Sequence, residues 1–373
     1  MGAWVEYGAC VHTGVSRDAA TGALTLDGGR LPAAALSETA ERLARAVADD
    51  PQDGQAQLNL GSALQGLGRH AEAVERFKVA QASRPNDAAP CLHIAISLLA
   101  LGDAGSALRA ASDACRRAPN EPRAHYAYGQ AFTALGRHAE AERAFAAAVQ
   151  LAPRWADAWL NYGVARYRQG AIDDAKTAMR HVLSFEPGHA AATSNLAAFM
   201  RIGGEIETAE ALLRETLARE PGNTGVRLNL AADLLSEERP GEALALLDAA
   251  EPPTHDLPVV RHWLLQKSLA LLQLQRPGEA RAALAALAAL GPIPPDIEPL
   301  WHWRHVLLAG IEGDAVGARE AAQRMETALA VMGPTPCPSI RSWRVTISRN
   351  SGRARVRRRV LSRAGPRPIS FLP

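Results

Sequence analysis

Aromatic residues make up only 5% of this 373-residue chain. That argues against a core built on sheets, whose half-buried surfaces favour aromatic and β-branched side chains. Cysteine is scarce as well, and Cys10, Cys91, Cys115 and Cys337 lie too far apart for zinc-ligand or redox spacing. They read as buried or incidental thiols, and nothing in their use demands an oxidising compartment. No apolar run reaches the ~18 residues a membrane span needs. The start lacks the basic residues and long apolar stretch of a secretory signal. The expected location is therefore cytoplasmic, without membrane contact.

Catalytic signatures are missing too. The sequence holds no phosphate-binding glycine loop followed by Lys and Ser or Thr, no dinucleotide fingerprint, no zinc-binding HExxH and no nucleophile elbow. No catalytic residue, metal site or cofactor is assigned, and the protein as it stands reads as a non-enzyme. The nearest approach to a metal pair is His302 and His305, three apart with no third ligand nearby in sequence. A packing or surface role is the expectation for them.

What is present is alanine and leucine. They supply most of a 47% hydrophobic content, which favours closely packed helices. The length is large for one globular core and suggests two domains or an elongated array. Net charge is +2, but residues 338–373 hold ten Arg and no Lys, Asp or Glu, leaving 31 basic against 39 acidic residues before them. An acidic body of net −8 thus precedes a basic tail.

The body repeats with a period of 34 residues, marked by Ala73, Ala107, Ala141, Ala175, Ala209 and Ala243. Pro85, Pro119, Pro153, Pro187 and Pro221 keep the same step, as do Gly68, Gly102, Gly136, Gly170 and Gly204. A small position (Gly61, Ala95, Gly129, Gly163, Ala197, Ala231) accompanies a mostly bulky one (Phe77, Ala111, Phe145, Met179, Leu213, Leu247). Small residues suit the close crossing of two antiparallel helices. The middle glycine suits a left-handed helix end, and the proline stops the second helix. Apolar residues such as Leu58, Leu60 and Leu64 keep helical spacing between these marks. Each unit therefore reads as helix, turn, helix, and one unit alone cannot bury both faces.

This pattern resembles the tetratricopeptide repeat (TPR) family over about residues 37–330. Six regular units start near Gly54, Ala88, Pro122, Ala156, Ala190 and Thr224. The fourth carries Trp159, Tyr162, Gly163, Ala175 and Pro187 at family positions, but Arg166 stands where an aromatic is usual. Ahead of them, Leu36 to Pro51 fits the second helix of a half-unit, with Ser37 expected as its N-cap. After Leu247 a Pro-rich stretch, Glu251 to Pro258, shifts the register by three residues. A seventh unit follows with Gly278, Ala280, Leu284 and Pro292, then a weaker eighth with Gly313 and Ala318. The resemblance implies an all-α, right-handed superhelical solenoid of antiparallel helix pairs. Residues 1–36 would precede it as an extension, and residues 331–373 would follow as a basic tail.

In such a stack the first helix of each pair lines the concave face. One position on it holds Asn59, then Asn161, Asn195 and Asn229 at 34-residue spacing, with His93 and Ala127 interrupting. An amide donates and accepts, so a row of them can hold an extended backbone whatever its sequence. The row is similar to the asparagine ladder in the repeat arm of O-GlcNAc transferases. Asparagine is also common there in ordinary TPR units. Tyr126, Gln130, Tyr167 and Arg201 are further candidates on the same face, each with a packing alternative, while Trp155 and Trp159 read as helix packing. A protein or peptide segment is the expected partner, and the protein reads as an interaction scaffold.

The tail leaves the pattern. Arg353, Arg355, Arg357, Arg358 and Arg359 offer a contact for nucleic acid or an acidic partner, though the acidic body opposes a broad nucleic-acid surface. A solvated extension is the plain alternative. Excess Arg, Ser, Pro and Gly is also what a GC-rich gene yields out of frame. The repeat body resembles the N-terminal half of bacterial TPR-linked sulfotransferases, which implies a second reading. In it, the protein is the substrate-recruiting arm of a transferase, sulfotransferase ahead of glycosyltransferase, without its donor-binding domain.

Overall fold

The computed structural model describes residues 33–251 and 256–331, with the backbone of four short strands outside them. The expectations for residues 1–32, for Cys10 and Cys337, and for the Arg side chains of the tail lie outside the described residues. Among the described residues the body is wholly α-helical. Helix α1 (Ala33–Asp49) is followed by helix pairs in sequence order. They are α2 (Gly54–Gly66) with α3 (His70–Ser83), α4 (Ala89–Ala100) with α5 (Ala104–Arg117), α6 (Pro122–Ala134) with α7 (His138–Leu151), and α8 (Ala156–Arg168) with α9 (Ile172–Phe185). Then come α10 (Ala190–Ile202), α11 (Ile206–Arg219), α12 (Thr224–Ser236) with α13 (Pro240–Asp248), α14 (Leu257–Gln273) with α15 (Pro277–Ala289), and α16 (Glu298–Glu312) with α17 (Ala315–Val331). Two antiparallel strand pairs flank the helices: β1 (Ser16–Arg17) with β2 (Leu24–Thr25), and β3 (Trp343–Ile347) with β4 (Ala354–Arg358).

The polypeptide forms two compact bodies, one ending at Gly204 and the other starting again at Glu205. In the first, α2, α4, α6 and α8 each pack on their own second helix, and α4 also packs on the first helices on either side of it. The close crossing is set by glycine. A Cβ on Gly61 would lie 2.5 Å from the Phe77 ring, on Gly129 2.6 Å from Phe145, and on Gly163 2.4 Å from Met179. In the second body the pairing becomes Ala231 with Leu247, joined by Leu228 and Trp263 in one buried cluster. A smaller knob leaves room for the methyl group.

The turn glycines from Gly68 to Gly204 all adopt φ between 71° and 87°, the left-handed region where a Cβ is unfavourable. The conformation outlasts the glycine. Glu238 (φ 62°) and Gln275 (φ 58°) occupy it in the next two units before Gly313 (φ 78°) restores the glycine. The backbone register therefore runs through the three-residue slip.

Two local details differ from or explain the sequence pattern. Helix α1 opens at Ala33, a turn ahead of Ser37, so Ser37 sits inside the helix and does not cap it. Caps form instead at Asp53, Asp103, Glu121, His189, Asn223 and Asp256, among others, whose side chains accept from backbone N–H groups of the first turn. The interhelix prolines also leave a carbonyl to satisfy, and a side chain six residues on reaches back to it. Gln57 Nε2 donates to Pro51 O, Trp159 Nε1 to Pro153 O, and His125 Nε2 lies 2.8 Å from Pro119 O. Arg227 does the same for Pro221 O. Thr193, at this position in the fifth unit, is too short, and its buried hydroxyl has no hydrogen-bond partner.

Candidate functional site

The candidate row falls on the first helices, nine residues before each left-handed turn residue. Counting back from Gly68 gives Asn59, then His93, Ala127, Asn161 and Asn195, all in the first body. Counting back from Glu238, Gln275 and Gly313 gives Asn229, Gln266 and Arg304 in the second. Gln266 and Arg304 escape a search by 34-residue steps because the slip moves them. The marks at Gly278, Ala280, Gly313 and Ala318 carry the corrected register and locate both residues.

In the first body most of the row has partners within the protein. Asn59 Oδ1 accepts from Gln55 Nε2 at 2.9 Å, one turn back on the same helix, which leaves its amide nitrogen to donate. His93 Nδ1 lies 3.0 Å from Gln65 Oε1, and the Gln65 amide donates to Ser97 Oγ at 2.8 Å and to His93 O at 3.3 Å. The His93 ring stacks on Phe77 with centroids 5.1 Å apart. Burial, with the Arg123 charge adding to it, pushes the imidazole pKa down to about 4, so His93 is neutral at physiological pH.

Asn161 and Tyr126 are brought together. The Asn161 Nδ2 donates to the Tyr126 hydroxyl at 2.9 Å, joining α8 to α6, and to Asp157 O at 2.9 Å. Both amide hydrogens are thus used, and the carbonyl oxygen is the half left to accept from another molecule. Tyr126 packs against Trp155 (centroids 4.6 Å) and Phe145 (5.6 Å), and burial raises its phenol well above the usual range. Tyr126 is therefore a neutral, half-buried bracket for Asn161. Tyr167 stacks on Phe199 at 5.0 Å, bridging α8 and α10. Asn195 is 6% exposed, whereas Gln130, Arg201 and, in the second body, Asn229 are half-buried. Trp159 spends its N–H on Pro153 and its ring on His181 (4.3 Å) and Tyr162 (5.7 Å), a packing role. Arg166, the departure from the family aromatic, forms ion pairs with Asp174 and Glu142 instead.

The histidine pair of α16 splits between two tasks. His302 is buried 3.6 Å from Glu298, and His305 Nδ1 lies 2.9 Å from Trp301 O. Among the described residues no three His, Cys, Asp or Glu side chains are placed to hold a metal ion, and no helix is long and apolar enough to cross a membrane.

Two tetratricopeptide repeat models match the protein, one over residues 26–88 and 92–154, the other over 132–199 and 202–269. No curated protein matches. Among solved structures, yeast Tom70 aligns with a TM-score of 0.56 at 15% identity, over 81% of this protein and 62% of its own length. A tetratricopeptide repeat protein from Parabacteroides merdae aligns with a TM-score of 0.50 at 17% identity, over 63% of this protein and 92% of its own length. YrrB, described as a TPR protein with an unusual peptide-binding site, aligns with a TM-score of 0.42 at 19% identity, over 50% of this protein and 96% of its own length. The two repeat models, over the 34-residue helix pairs described above, assign the protein to the tetratricopeptide repeat family.

Proposed function

We propose that the protein is a non-enzymatic scaffold that holds an extended protein or peptide segment against the face formed by its first helices. The observation that carries this reading is the state of Asn161. Tyr126 and Asp157 fix its amide nitrogen, and its carbonyl oxygen is held ready for a backbone N–H from a ligand. Asn195 repeats the position one unit on, Asn59 offers the donor half of its amide, and Tyr126, Gln130, Tyr167 and Arg201 flank the row. Asn229 is the equivalent contact in the second body. Amide contacts to a backbone give affinity with little regard to ligand sequence, which suits a recruiting surface.

The test is binding of 12-residue peptides selected by display on the protein, with Asn161 and Asn195 both replaced by Ala. Loss of affinity across unrelated peptides is expected. Unchanged affinity removes the row from the ligand contact. Failure to select any peptide above background ends the scaffold reading.

A further inference from the structure

Helix α17 exposes Arg319, Gln323, Arg324 and Glu326, the kind of polar outer face that closes a repeat array. Helix α16, the last of the described first helices, is different. A first helix meets its successor through the positions ten and three residues before its left-handed turn. Tyr126 meets Asn161 from the former, and Tyr167 meets Phe199 from the latter. On α16 these positions hold Trp303 and Gly310, with Leu307 on the same face. No further helix follows among the described residues, yet Trp303 is 6% exposed and Leu307 and Gly310 are half-buried. Trp303 shares a buried cluster with Ala321 and Met325 of α17, and strand β4 packs on α16 as well.

The register of β3 with β4 suits that place. Trp343, Val345 and Ile347 are paired directly with Arg358, Val356 and Ala354, and strand alternation puts these six positions on one face of the ribbon. Arg344, Thr346, Arg355 and Arg357 take the other face, with Arg344 opposite Arg357. One face is thus mainly apolar and the other basic. A lone two-stranded ribbon is marginal in water and persists by packing on a helix or on further strands. Like charges directly opposite each other are unfavourable, least so where water and salt screen them. Both effects favour the apolar face against α16 and the basic face outward.

We infer that residues 343–358 are the closing cap of the second body: the apolar face of the β3–β4 ribbon covers the Trp303, Leu307 and Gly310 face of α16, where a further first helix would stack. The occupant is this chain's own ribbon, and the tail is to that extent a folded part of the array and not a solvated extension. Lifting the ribbon uncovers an apolar helix face that a second copy can cover, so the cap also opposes end-to-end association.

The test is amide hydrogen exchange, read by mass spectrometry on the full chain, unaltered and with Val345→Asp and Val356→Asp together, a directly opposed pair. In the unaltered protein the amides of both strands should exchange about tenfold or more slower than in an unstructured peptide of the same sequence. In the variant that protection should vanish, and α16 should exchange about tenfold or more faster while α6 of the first body is unchanged. Sedimentation velocity should show the variant self-associating where the unaltered protein does not. Ribbon amides that exchange at the unstructured rate in the unaltered protein overturn the cap. Unchanged exchange of α16 in the variant overturns it too, since the ribbon then does not cover that helix. Ribbon protection that rises with protein concentration places the ribbon on a second copy and overturns the same-chain occupant. A variant that uncovers α16 and stays monomeric overturns the role against association. Should the variant not fold, as read by circular dichroism, exchange of the ribbon in the unaltered protein still decides.

Discussion

The two bodies carry one repeat register and put the same position to different use. In the first, three members of the row are bonded into the protein: Asn59 to Gln55, His93 to Gln65, Asn161 to Tyr126. In the second, Gln266 has no partner and Arg304 has one long bond to a carbonyl. Packing differs in parallel. Glycine opposite Phe77 and Phe145 brings the helices of the first body close, and alanine opposite Leu247 serves in the second. A position in a repeat is thus a place, whose chemistry is decided by what the neighbouring units set beside it. Satisfied polar groups add stability and fix side chains, while unsatisfied ones lower stability and leave bonding capacity for a ligand.

Substitution of the two glutamines gives the largest contrast. Gln65→Met strands the His93 nitrogen and the Ser97 hydroxyl, and should lower unfolding free energy by about 2–3 kcal/mol in urea denaturation. Gln266→Met removes two orphaned atoms at similar volume and should raise it by about 1–2 kcal/mol. Equal signs for the two changes would erase the distinction between the bodies.

Acid sharpens the same contrast. His93 titrates near 4 when folded and near 6.5 when unfolded, so between these values the unfolded protein binds more protons. Its contribution is whole above pH 6.5 and is lost as pH falls toward 4, a loss of about 3 kcal/mol. Melting curves of the unaltered protein and of His93→Gln, recorded across this range, should converge at the acid end. Parallel curves would show that His93 is solvated.

The smallest effect concerns the proline carbonyls. Thr193 is fully buried with an orphaned hydroxyl where Gln57, His125, Trp159 and Arg227 each reach a carbonyl. Thr193→Val should therefore stabilise by about 1 kcal/mol, seen as a raised melting temperature. A lowered one would mean that the hydroxyl is bonded.

Much of the fold was legible because its marks are steric. A glycine at each left-handed turn and a small residue at each helix crossing are demanded by geometry and repeat without regard to surroundings. Glu238 and Gln275 show the limit, since the backbone keeps a conformation whose residue signature has gone. The site was less legible. The four donors to proline carbonyls share an N–H and nothing else in residue type, so no identity pattern reveals them. Trp159 reads as a packing residue from its spacing, but the bond from its Nε1 to Pro153 O is not encoded there. Gln266 and Arg304 are hidden by the register slip, and their lack of partners is a property of packing that no spacing encodes.

The central claim is that the first-helix face grips a polypeptide backbone through its amide row. The most direct test is the affinity, by fluorescence polarisation, of several sequence-unrelated display-selected peptides for the unaltered protein and for the Asn161→Ala, Asn195→Ala double variant. The account predicts a loss of about tenfold or more, as two bonds worth ~1 kcal/mol each would give, and of similar size for every peptide. Affinities that stay the same, or that fall for one peptide and not for the others, would contradict it.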